Sequence, residues 1–210
     1  QSVFMIFACA IIGVLFTLPF MKVSQIKNQQ EVDQSFKDVL VKAFKDPSFA
    51  MLFLGFFSCG YQLAFMTAHF PALVTEMCGP ILSNGILNTI GIKTTSALGA
   101  AALAVIGITN IAGTLGAGYL GSRYPKKYLL CGVYTGRTII ATAFILTPIT
   151  PESVLLFSMF MGALWLATVP LTSGLVGHIY GMRYMGTLYG LVFFSHQIGG
   201  FLGVWLGGRM

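Results

Sequence analysis

The sequence predicts an all-α, polytopic bundle of transmembrane helices. Two observations carry this. Of the 210 residues, 56% are apolar and only 9% are charged, whereas a soluble domain carries about 25% charged residues. A water-facing surface cannot be built from so few charges. The apolar residues also fall in long blocks, as membrane spans do, rather than forming one buried core.

A span needs about 20 apolar residues. Six segments qualify: 3–21, 49–77, 98–120, 129–147, 153–176 and 186–208. The first begins at Val3, with no basic leader region and no small-residue cleavage site, so it does not read as a signal peptide. The second holds Pro71 near its end. The fifth holds Pro170, where a gating kink is expected, since sharp kinks sit at proline. Neighbouring helices and water satisfy the backbone groups that such residues free.

The loops alternate in charge. Lys22, Lys27, Lys37, Lys42 and Lys45 precede the second span; Arg123, Lys126 and Lys127 follow the third; Arg183 follows the fifth. These nine cations share one side, which the positive-inside rule makes cytoplasmic. The other side has Lys93, Arg209, Glu76 and Glu152. The twelfth cation, Arg137, lies inside the fourth span. In the long polar loop before the second span, Phe36, Leu40 and Phe44 recur every four residues. This predicts a short amphipathic helix on the membrane surface, and Asp46-Pro47 then starts the next helix.

Several chemistries have no signal. Cys9, Cys59, Cys78 and Cys131 form no CxxC pair and read as small apolar packing residues. His69, His178 and His196 lie on three different elements and make no metal set. No HExxH, GxSxG or GxxxxGK[ST] pattern occurs. No enzyme activity, catalytic residue, metal or cofactor is expected, and no basic run with interleaved aromatics suggests a nucleic-acid partner.

The loop after the third span carries a motif, Gly118-Tyr119-Leu120-Gly121-Ser122-Arg123-Tyr124-Pro125-Lys126-Lys127. It resembles the loop signature of the major facilitator superfamily, roughly Gly-x-Leu-x-Asp-Arg-x-Gly-Arg-Lys, with Ser122 in place of the Asp and Pro125 in place of the Gly. Residues 60–71, 134–137, 165–172 and 196–203 resemble bacterial monocarboxylate-porter-like members. In the family this loop lies between the second and third helices of a six-helix half. The resemblance therefore implies a fragment covering helices six to eleven of twelve. Residues 1–21 would be the last helix of the N-terminal half, 22–48 a cytoplasmic linker, and 49–210 a C-terminal half lacking its final helix. The implied partners are the lipid bilayer, the missing transporter half and a small-molecule substrate, and the implied location is the bacterial inner membrane. Arg123, Lys126 and Lys127, with the small Gly118, would form the gating loop.

Polar residues inside the spans are the candidate site. Ser58, Gln62, His69 and Glu76 form one stripe on the second span, the family's cavity-lining seventh helix. His69 could carry a proton, because histidine titrates near physiological pH, or could bond a neighbouring helix. Monocarboxylate porters carry Asp and Arg at the positions matched by Asn110 and Thr114; this chain has neither charge there, and the neutral pair could hydrogen-bond a substrate or a neighbouring helix. Arg137 could anchor a carboxylate, or bond carbonyls or Tyr134 within the half; a span charge costs roughly 2.5–3.5 kcal/mol and needs a partner. Trp165, Thr168 and Thr172 share a face of the fifth span. His196 and Gln197 point to different sides of the sixth. Gly113, Ala117 and Gly121, and Gly199, Gly203 and Gly207, repeat every four residues and read as close helix contacts. The leading expectation is alternating-access transport of a small organic anion such as a monocarboxylate, with or without proton symport. The rivals are efflux of a neutral or apolar compound, and a truncated membrane protein that transports nothing.

Overall fold

The computed structural model describes residues 36–81, 86–89 and 91–209; the first predicted span lies outside them. Helix α1 is Phe36–Lys45, α2 Pro47–Met77, α3 Ile86–Thr89, α4 Thr95–Arg123, α5 Lys126–Leu146, α6 Pro151–Leu164, α7 Thr168–Tyr180 and α8 Met185–Gly207. Among the described residues there is no strand. Five helical segments, with α6 and α7 taken together, are long and apolar enough to cross a membrane. The all-α bundle expected from the sequence is thus present, and every predicted span that falls within the described residues is found.

Local chemistry sets the helix starts. The Asp46 carboxylate accepts from the Ser48 backbone N–H at 2.8 Å, and Pro47 occupies the first helical position of α2, where its missing N–H costs nothing. Thr94 caps α4 by accepting from Ala97 N. Thr150 and Ser153 cap α6 reciprocally, so that two orphan donors are satisfied at once.

One expectation is met and one is corrected. In α1 the buried residues are Val39 and Ala43, with Leu40 half-buried, while Phe44 is 61% exposed and meets Phe49 edge-on. The expected amphipathic helix is thus present, and the face it turns to the bundle is made by Val39, Leu40 and Ala43. The interruption of the fifth span is at Trp165–Ala167, one turn before Pro170. Pro170 has no N–H to give the Leu166 carbonyl, which accepts from Val169 N at 3.0 Å instead; Trp165 N likewise bonds three residues back, to Gly162 O. The proline acts on the turn that precedes it and itself sits within the first turn of α7.

Lipid chains are as apolar as leucine, so close packing rather than hydrophobic burial joins these helices. α8 lies along α2 and α6 along α4. A Cβ at Gly199 or Gly203 would run into the carbonyl of Phe57 or Tyr61, and one at Gly60 into that of His196. A Cβ at Gly113 would meet the Ala163 carbonyl, and Gly121 lies under Leu171. Both small-residue stripes are helix contacts.

The charged loops gather at one end of the bundle. The Tyr180 hydroxyl, at the end of α7, donates to Asp46 at the start of α2 over 2.6 Å. The Lys126 stem, at the start of α5, crosses α7 at Gly174.

Candidate functional site

The break between α6 and α7 is held from α4. The Asn110 side-chain oxygen accepts from Leu166 N at 3.0 Å and from the Thr114 hydroxyl at 3.2 Å. Leu166 N–H is one of the donors the interrupted helix leaves without an intrahelical acceptor, and Asn110 supplies one. Both oxygen lone pairs of Asn110 are therefore engaged inside the bundle.

The fifth-span triad is internal as well. Trp165 is 7% exposed, among Phe157, Met161 and Ile106. Thr168 and Thr172 are buried, and Thr172 Oγ1 has no hydrogen-bond partner.

Arg137 is sealed, at 1% exposure. Nη1 donates to Cys59 Sγ at 3.0 Å, while Nε and Nη2 are buried without a partner. Thr168 Oγ1 lies 3.5 Å from the same sulfur, and the His196 imidazole faces it from α8. The partner of Arg137 is thus a thiol on α2. Sequence reasoning passed over Cys59 because an isolated cysteine in an apolar block looks like packing, and nothing local signals that an arginine 78 positions away will meet it.

His69 is half-buried, with Nε2 3.2 Å from the Val204 carbonyl and its ring across Gly207. It joins α2 to α8. Ser58 and Glu76 are exposed and Gln62 is half-buried. As expected, His196 and Gln197 diverge: His196 turns inward, with a buried, unpartnered Nδ1, and Gln197 is exposed. Gln197 lines a groove of about 470 Å³ with Ala64, Gly200, Phe201, Val204 and Trp205. In the motif loop, Arg123 stacks 4.3 Å over the Tyr119 ring and Lys127 4.9 Å over Tyr128. Gly118 is exposed, with open space where a Cβ would stand.

A bundle of long apolar helices, with glycine-tight pairs and a broken helix beside its polar groups, defines a multi-pass integral membrane protein. The Major Facilitator Superfamily model matches residues 1–204, and the chain belongs to that superfamily. It is 26% identical over 163 residues to the uncharacterized MFS-type transporter YcxA of Bacillus subtilis (strain 168). The match covers 75% of this chain and 36% of that protein, so the matched region spans little more than a third of the relative's length.

Proposed function

We propose that this chain supplies part of a secondary transporter that moves a small neutral or weakly polar organic compound by rocking two halves about a midplane site. One contrast supports this reading. Arg137, the single formal charge at mid-span, is sealed inside the bundle, whereas Gln197, an amide, stands exposed in an otherwise apolar groove. Rocking moves each half largely as a rigid body, so a group sealed within one half stays sealed in both access states. An exposed amide at mid-span is costly against lipid and favoured where it meets water, cargo or another helix.

An organic anion is the second reading, with one observation in its favour. Nε and Nη2 of Arg137 are both unpartnered, and together they form the guanidinium edge that takes a carboxylate bidentately. Under this reading a local opening of the bundle would admit the carboxylate, and proton symport would accompany it.

The test uses the complete protein in proteoliposomes with matched neutral and anionic compounds. Uptake of neutral compounds is expected, and Gln197→Leu should lower it roughly fivefold, the worth of a hydrogen bond of about 1 kcal/mol. Uptake confined to anions, unaffected by Gln197→Leu and abolished by Arg137→Met, would give the function to the second reading.

A further inference from the structure

Arg137 carries a permanent charge, because a guanidinium does not lose its proton in a protein. It sits midway along α5 and is 1% exposed. A charge so placed needs a counter-charge or backbone carbonyls within reach, and no carbonyl bonds this guanidinium: Nη1 meets Cys59 Sγ, and Nε and Nη2 have no partner. The chain has six acidic residues: Glu31, Asp33, Asp38, Asp46, Glu76 and Glu152. Glu31 and Asp33 lie outside the described residues; Asp38 is on the surface helix α1, Asp46 caps α2, and Glu76 and Glu152 stand at the ends of α2 and α6. None of these four is at mid-span.

The helices around this position present specific groups to Arg137, to the sulfur it touches or to the residue beside it. α2 presents Cys59 Sγ at 3.0 Å. Its own helix presents Tyr134, one turn back. α7 presents the neutral hydroxyl of Thr168, 3.5 Å beyond, on the same sulfur. α8 presents His196 and Tyr189 around that sulfur. α6 presents Leu164, against Gly136. Histidine cannot be an anion here. Of the remainder, a thiol ionises near pH 8.5 and a phenol near pH 10 in reference peptides, and the thiol is the one in contact.

We propose that Cys59 is the counter-ion of Arg137, so that a buried thiolate–guanidinium pair ties α2 to α5 inside the membrane. The thiol proton leaves to solvent as the bundle assembles, and no other bond is made or broken. The sulfur then accepts from Arg137 Nη1 and from the Thr168 hydroxyl, which brings three helices to one atom. Such a pair is also a one-proton switch: returning the proton to sulfur leaves the guanidinium uncompensated and loosens the joint.

The pair is tested by charge exchange in the full-length protein. Cys59→Ser keeps the size but supplies only a neutral hydroxyl, and Cys59→Asp restores an anion. Cys59→Ser should lower the apparent melting temperature by several degrees. Cys59→Asp should hold more of it than Cys59→Ser, and adding Arg137→Met to Cys59→Ser should regain stability. A direct readout is the infrared S–H stretching band of a variant whose one remaining cysteine is Cys59. That band should be absent while Arg137 is present and appear in Arg137→Met. A band present beside intact Arg137 overturns the proposal even if the substituted proteins fail to fold. A silent Cys59→Ser, with anion binding lost in Arg137→Met, also overturns it and assigns the counter-charge to the cargo.

Discussion

At the scale of the residue, the polar groups of the spans serve mainly to join helices. Asn110 spends its oxygen on Leu166 N and Thr114, and His69 lies against the Val204 carbonyl. Asn110→Ala strands a backbone donor beside the helix break. The expected cost is about 1–3 kcal/mol, read as a lower melting temperature of the detergent-solubilised protein. Glu76 is exposed one residue from the end of α2, and in the complete protein, if it transports as proposed, Glu76→Ala should leave transport near normal. His69→Ala removes both its contact with the carbonyl and its cover over Gly207, and should impair transport more than Glu76→Ala. Equal rates for the two would remove any special role for His69.

At the scale of the element, the α2–α8 pair depends on the absence of side chains along one face. Gly199→Ala or Gly203→Ala drives a methyl into a backbone carbonyl, which cannot swing aside as a side chain can. Overpacking of this kind costs typically 1–3 kcal/mol. Gly190→Ala on the same helix meets open space and removes a glycine from a helix interior, so it should be neutral or stabilising by up to about 1 kcal/mol. Thermal unfolding of the three variants, followed by size-exclusion fluorescence, makes the comparison. If Gly190→Ala unfolds as early as Gly203→Ala, helix contact is not what the stripe provides.

At the scale of the whole molecule, the charged end is latched by Tyr180 and Asp46. The hydroxyl of Tyr180 is the chief cause that holds the Asp46 carboxyl below its ordinary value, followed by the Ser48 backbone N–H. A carboxyl depressed on folding contributes stability above its unfolded pKa, and loses it as pH falls through the folded value. Tyr180→Phe should therefore lower stability at neutral pH. The gap from the parent should close as the pH drops below the usual carboxylate range. A constant gap across that range would mean that Tyr180 acts through its ring contact with Phe49 rather than through Asp46.

What could be read from the sequence was whatever one segment decides alone. Charge scarcity and long apolar blocks specify spans, because lipid leaves a backbone no acceptor but its own helix. Asp46-Pro47 specifies a helix start, glycines every four residues specify a contact face, and the loop around Arg123 points to the superfamily. The pairing of those segments could not be read in the same way. Pro170 announces a break, but the position of the break follows from which carbonyl loses its donor, and its staple, Asn110, comes from a helix 56 residues away. Arg137 announces the need for a partner without naming it. Only packing brought Cys59 to it, because a side chain's counter-charge is set by which helices meet and at what level, and that is a property of the bundle as a whole.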